Sequence, residues 1–567
     1  MKVLLPLLAT ALLLAPLPAP ARPAAPPARF AHGMVSAADP RAAEAGARML
    51  RAGGSAADAA LAMLLALNVV EPQSSGIGGG GYALVDDGRG HVASFDGRET
   101  APAAADGTWF YNDGQPLTVA QAIPGGRSVG VPGNVALMAA IHARYGRLAW
   151  GALFTPAIAL ARDGFTISPR LHEFLTRFSK TGALSPAARA LYYQADGTAL
   201  PAGTRVRDPA LAGMLAAIAA RGPAAFYHGA NAQAIAASVR TAPRNPAPMR
   251  AADLAAYAAK PRPPVCLAYR RYRVCGMGPS SSGATTVLGM LGLLERFDLS
   301  ALGKDNPVSW HLIAEAMRLT YADRDRYLAD SDFVPVPVAG LLSKSYLAQR
   351  SALISPDRTL PEASAGTPPG AVAEADTLTP FVPATTHFVA IDRAGEAASV
   401  TSTIESPFGS GLMVSGYYLN NELTDFSLVP ERDGRPVANR VEGGKRPRSA
   451  MSPTLVYGPD GRLRLALGAA GGATIPAQVL RVIIGVIDWH LPVEEALALP
   501  VLFAPGGERV LLEADTPLAA MAPALTRLGH KDVEAWHGMF KANAIEIRDG
   551  GLVGGADPRS EGRAIRQ

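Results

Sequence analysis

Cysteine is almost absent: Cys266 and Cys275 are the only two in 567 residues, so one intramolecular disulfide is the most the chain can form. Dense Lys/Arg blocks are missing, and the formal net charge is only +5. A nucleic-acid partner is therefore not expected. The ten histidines are scattered without metal-ligand spacing, so neither a metal site nor a cofactor is expected. Beyond the N-terminus no apolar run is long enough to span a membrane. Internal repeats are lacking too.

What is present describes a globular chain with a large core, 49% hydrophobic and 18% charged. Residues 1–21 read as a signal peptide. Lys2 is a minimal n-region, Val3 to Leu17 is apolar, and Ala19-Pro20-Ala21 fits the small-x-small cleavage rule. An apolar run of about fifteen residues is short for a membrane anchor. A soluble periplasmic or secreted protein starting near Arg22 is expected. Tyr269-Arg270-Arg271-Tyr272 suits a tight turn that sets Cys266 opposite Cys275. In an oxidising compartment a disulfide is expected there, with two buried free thiols as the alternative.

Residues 39–260 read as largely helical. Asp39-Pro40 is an N-cap followed by proline at the first helical position, and Gly53-Gly54 stops that helix. Ser55 to Asn68 is a second, very apolar helix. Asp208-Pro209 and Asn306-Pro307 open two more, the latter running to about Asp330. Strand-like runs fall at 82–86, 91–95, 387–391, 397–403, 414–420, 453–457 and 463–468, with a helix near 476–490.

Two motifs mislead. Gly76 to Gly81 satisfies G-x-G-x-x-G, but a helix precedes it and a strand follows, the wrong order for a dinucleotide site. A turn of closely packed backbone is expected instead. Gly126-Arg127-Ser128-Val129-Gly130 matches the nucleophile elbow, yet Val131-Pro132-Gly133 separates it from the next helical pattern.

The chemistry gathers at a junction. From roughly Ser351 to Pro383 regular patterning fades. Pro383-Ala384-Thr385-Thr386-His387-Phe388 then passes at once into a strand. A loose tether feeding such a threonine suggests self-cleavage between Ala384 and Thr385. The freed threonine carries nucleophile and base together, because its α-amine takes the hydroxyl proton. Strand alternation puts Thr385 and Thr386 on opposite faces, so only one can serve, and the residues leave open which.

Around this junction the chain resembles the γ-glutamyltranspeptidase family. The resemblance rests on Thr385-Thr386-His387-Phe388 and on the run from Thr401 through Glu405 to Gly409. It extends to Leu419-Asn420-Asn421-Glu422-Leu423-Thr424-Asp425-Phe426, to Lys445 through Ser449-Ala450 to Thr454, and to Gly471-Gly472. Val70 to Gly76, Gly97-Arg98-Glu99-Thr100-Ala101-Pro102 and Asp557-Pro558-Arg559 carry it across nearly the whole mature chain. It implies an α/β fold of the N-terminal-nucleophile hydrolase type, a four-layer αββα sandwich. It also implies a self-processing proenzyme whose large subunit (22–384) and small subunit (385–567) stay together as a heterodimer. Small-molecule substrates are implied: glutathione and other γ-glutamyl amides, with water, amino acids or peptides as acceptors.

By the resemblance Thr385 is the nucleophile, and its amine is the general base. Thr403 orients it, and Gly471 and Gly472 offer backbone N–H groups to the oxyanion. Arg98 grips the substrate α-carboxylate, Ser449 adds a hydroxyl, and Glu405, Glu422 and Asp425 face the α-ammonium. Three carboxylates exceed the need of one cation, so one is expected to be protonated or paired with a cation such as Arg98. Without the resemblance these residues read as a strand threonine, a turn and solvated charges. Two departures stand out. Ala450 replaces a common serine and cannot donate, and Ala469-Ala470 replaces a common Ser-Pro and is expected to loosen the turn. Residues 428–447 are placed either as a lid or as a passive surface loop. The alternatives are a related acylase acting on β-lactam side chains and a non-catalytic periplasmic solute-binding protein.

Overall fold

The computed structural model describes residues 29–372, 375 and 384–567. The expected leader at 1–21 and the part of the tether just before Ala384 lie outside them. Thirteen strands build the centre. They are β1 (Met34–Ala37), β2 (Gly80–Asp86), β3 (Val92–Gly97), β4 (Lys260–Arg262), β5 (Val265–Tyr269), β6 (Tyr272–Gly276) and β7 (Thr386–Ile391). After them come β8 (Ala397–Thr403), β9 (Thr454–Tyr457), β10 (Leu463–Ala470), β11 (Lys541–Arg548), β12 (Gly551–Ala556) and β13 (Arg563–Arg566). One antiparallel sheet runs β13-β1-β7-β8-β2-β3-β4 and the other β12-β11-β10-β9-β6-β5.

Alternation along the strands makes three apolar layers from these two sheets. Phe388, Ala390, Ala398 and Val400 face helices α1 (Pro40–Arg51) and α2 (Ala56–Val70). Val389, Ile391 and Ala397 face the other sheet, where they meet Leu455, Ala466 and Ile545. Val456, Leu465 and Leu467 turn outward onto α3 (Gly283–Leu294), α4 (Pro307–Tyr327) and α5 (Ile475–Ile487). The result is the four-layer αββα sandwich. Hydrogen bonds cross the inner layer, including Ser399 Oγ to Leu467 O at 3.0 Å and Ser36 Oγ to Gly555 O at 2.8 Å.

The caps follow the sequence signals. Asp39 accepts from Arg41 N–H ahead of Pro40, and Ser55 and Asp58 form a reciprocal capping box on the wholly buried α2. The run at 414–420 departs from expectation. It is broken into Met413–Val414 and Tyr417–Tyr418, because Ser415 and Gly416 (φ 46° and 87°) make a tight turn between them. Among the described residues no helix is long and apolar enough to cross a membrane.

Cys266 and Cys275 sit opposite each other in the β5–β6 hairpin and form a disulfide. Closing so short a loop stabilises by roughly 2–3 kcal/mol. Cys275→Ser is expected to lower the urea midpoint of unfolding accordingly, while wild type and variant converge under reducing conditions.

Candidate active site

Thr386 pairs with Ser402 across β7 and β8, and this register brings the neighbouring residues 385 and 403 together. Thr385 Oγ1 donates to Thr403 Oγ1 at 3.0 Å, and Glu405 N–H donates to the same oxygen at 2.8 Å. His387 and Val389 face the opposing sheet, and Thr385 shares their parity. It therefore opens onto the mouth of the inter-sheet gap. Thr386 takes the other parity, is fully buried, and its hydroxyl finds no partner among the described residues. Thr385 and Glu405 both hold positive φ (96° and 75°). Such strain costs of order 1–3 kcal/mol per residue and clusters at functional sites.

A cavity of about 410 Å³, open mouth included, lies at this end of the sandwich. Arg98, Thr385, Thr403, Glu405, Glu422, Asp425, Ser449 and Gly472 all line it. Gly471 lies outside the lining and is held at φ 134°. Its turn follows β10 on the opposing sheet and leads into α5. The expected loosening by Ala469-Ala470 is not seen. Gln478 Nε2 donates to Ala470 O at 2.7 Å and Thr474 Oγ1 to Gly471 O at 2.8 Å, which pins the turn from α5. Ala450 lines the cavity beside Ser449 and offers it only a methyl group.

The charges arrange themselves around Arg98, which is 1% exposed. One Nη donates to Glu422 and the other to Asp425 Oδ2 at 2.5 Å, while Pro447 O and Arg448 O accept from Nε and Nη2. Two of the three acids thus hold the arginine and pre-set its fork. Burial opposes the Arg98 charge, but Glu422 and Asp425 outweigh it and raise its pKa. Burial likewise lifts the Glu422 carboxyl to about 7, against the pull of Arg98. Glu405 is pushed well up by burial and then by the Asp425 and Glu422 charges. Ser406 and Asn421 donate to Glu405 Oε2. The surplus of carboxylates is relieved both ways: two pair with the arginine, and the third favours its proton.

Arg324 and Arg448 also line the cavity, and no role was assigned to either from the sequence. Arg324 occupies the last turn of α4, where a basic residue reads as complementing the helix dipole. Its Nε donates to Ser282 Oγ at 2.9 Å, and Ser282 Oγ in turn donates to Ser449 O at 2.5 Å. Arg448 donates to Arg324 O at 2.9 Å, and burial followed by the Arg324 charge lowers its pKa to about 9. No residue of 428–447 lines the cavity. Only the tip at 431–436 is hairpin-like and largely exposed. Asn439 is buried and ties Asp425 O to Arg448 N–H, so this stretch clamps the site from behind.

The misleading motifs are structural. A Cβ on Gly79 would lie 1.9 Å from Thr403 O and one on Gly78 2.0 Å from Tyr418 O, so the glycine run lets backbones touch. Ser128 is buried and donates to Gly125 O at 2.7 Å. Among the described residues no group of His, Cys, Asp or Glu is arranged to hold a metal ion.

Known proteins share this architecture. The glutathione hydrolase proenzyme of Bacillus subtilis (strain 168) is 34% identical over 94% of this chain and 91% of its own. The acylase ACY 1 proenzyme of Pseudomonas sp. (strain SE83) is also 34% identical, over 95% and 94%. The crystal structure of cephalosporin acylase from Bacillus halodurans superposes with a TM-score of 0.81 at 28% identity, covering 98% of this chain and 99% of that one. The family profile described as gamma-glutamyltranspeptidase matches residues 42–566, and the chain belongs to that family.

Proposed function

We propose that this protein is a self-processing γ-glutamyl transferase and glutathione hydrolase. One observation carries the reading: Thr385, hydrogen-bonded to Thr403, lines the same cavity as Arg98 and the acids that grip it. Cleavage after Ala384 frees the Thr385 amine. That amine takes the hydroxyl proton as Oγ1 attacks the γ-amide carbonyl, and the amine leaving group departs with a proton. A γ-glutamyl ester on Thr385 results, which water or an acceptor amine then cleaves. Gly472 and the turn it shares with Gly471 are placed to receive the oxyanion; losing one such donor typically costs about 3 kcal/mol. Arg98 takes the α-carboxylate, sharing its fork with Glu422 and Asp425, and these acids with Glu405 take the α-ammonium. The leader at 1–21 directs the protein to the periplasm or beyond, and residues 22–384 and 385–567 remain associated as a heterodimer.

A second reading, an acylase for β-lactam side chains, draws support from the ACY 1 relative at equal identity and from Ala450. The gel tests self-processing, which both enzyme readings require and a solute-binding protein does not; the choice of anilide separates the two enzyme readings. On a denaturing gel the purified protein is expected to run as two fragments, the smaller beginning at Thr385. The cleaved protein is expected to release a chromogenic γ-glutamyl anilide, faster with an acceptor dipeptide present. Release from a glutaryl anilide, which lacks the ammonium, without release from the γ-glutamyl compound would favour the acylase.

A further inference from the structure

Glu99 follows Arg98 directly, is fully buried, and is no part of the substrate contacts above. Neither of its carboxyl oxygens, nor Glu422 Oε2, meets a donor among the described residues. Unpaired buried oxygens of this kind are costly. The position is built for a carboxyl. A Cβ on Gly80 would fall 2.5 Å from Glu99 Oε2, and one on Gly130 would fall 2.7 Å from Glu99 Cβ. Only the absence of those side chains leaves room. The Glu99 carboxyl lies within hydrogen-bonding reach of Glu422, whose other oxygen receives the Arg98 fork. Two adjacent buried carboxylates cannot both ionise, and one proton between them satisfies both sides.

We propose that Glu99 is a positioning residue: it keeps a proton, donates it in a hydrogen bond to Glu422, and so holds that carboxylate on Arg98. The arginine then meets two negative charges rather than three. Glu422 keeps the charge because its other oxygen receives the Arg98 fork, whereas no donor side chain among the described residues reaches Glu99. Burial, and next the Glu422 charge, push the Glu99 carboxyl the same way, well above the usual range. The other groups facing it do not supply a proton. Arg98 is committed to Glu422 and Asp425, Tyr257 donates to Arg98 O, and Tyr227 donates to Pro132 O. Asp425 faces Glu422 as the partner of Arg98, and Glu405 is engaged by Ser406 and Asn421 rather than by Glu99.

The test rests on the γ-glutamyl reading for its kinetic arm. Glu99→Ala is expected to raise the KM of a γ-glutamyl anilide about tenfold, with a smaller change in kcat. Glu99→Gln, whose amide replaces the donor, is expected to recover most of that loss. In wild type KM rises at alkaline pH as the shared proton leaves, and Glu99→Gln lacks that rise. A Gln variant as poor as the Ala variant, or wild-type and Gln profiles that superimpose, overturns the proposal. A second arm needs no substrate. Folded wild type holds a proton that an unfolded glutamate releases near its usual pKa of about 4.3, so wild-type stability falls as pH rises above that value. The melting temperature of Glu99→Gln minus that of wild type is therefore expected to widen from pH 5 to pH 8, and a flat difference also overturns the proposal. Should cleaved wild type release no γ-glutamyl anilide, the functional reading fails while this arm still judges Glu99.

Discussion

Thr385→Ala is expected to yield one uncleaved chain and to lower γ-glutamyl anilide release at least about 10³-fold, because nucleophile and base are lost together. The same hydroxyl would attack the Ala384 carbonyl in maturation and the γ-amide in turnover. The fold should survive, since the side chain contributes one hydrogen bond, to Thr403, at the edge of the cavity. Thr386→Val is the matched control. It removes a buried hydroxyl that has no partner and keeps the branched shape, so cleavage should proceed and stability should hold or rise slightly. Mass spectrometry of the purified proteins reads both results. A Thr385→Ala protein still cut after Ala384, or a Thr386→Val protein left intact, would reverse the assignment of the two threonines.

Arg98→Met is the second large effect. It removes the cation between Glu422 and Asp425 and leaves their charges facing each other. Breaking such a buried network costs about 3–5 kcal/mol. Donor KM should rise about ten- to a hundredfold as a charge-assisted pair to the substrate carboxylate is lost. Arg98→Lys keeps the charge but cannot bridge both acids, so it should fall between the two. The stability loss carries a pH signature. Glu422 already titrates near 7 with the arginine present, and losing the arginine moves it higher. A carboxyl with a raised folded pKa binds its proton more tightly in the folded state, so the deficit shrinks as pH falls and grows as pH rises. Urea unfolding at pH 5 and pH 8 checks this; equal deficits at both would show that the loss is packing rather than charge.

Local signals carried much of the fold. Asp39-Pro40, Ser55 and Asn306-Pro307 cap helices where the sequence places them, because capping is written within four residues. Strands 386–391 and 397–403 were legible from their apolar runs, and the disulfide from a short hairpin. The 414–420 run failed because Ser415-Gly416 can turn, and turning there buries Val414, Tyr417 and Tyr418. Within 428–447 the burial of Asn439 and Lys445 was not legible, because both look like surface residues until backbone carbonyls of Asp425 and Ala438 accept from them.

The sequence by itself determined the family, and it named Ala384-Thr385 as the expected junction and Arg98, Glu405, Glu422, Asp425 and Ser449 as candidates, because motif identity is a property of the chain. The tertiary structure decided the rest. Strand parity points Thr385, not Thr386, into the gap between the sheets. Burial makes the acids compete for Arg98 and pushes Glu405 and Glu99 toward their protonated forms. Arg324 reaches the site from a helix that carries no recognisable motif. Each of these depends on which groups share a low-dielectric space, and that is fixed only when segments hundreds of residues apart pack together.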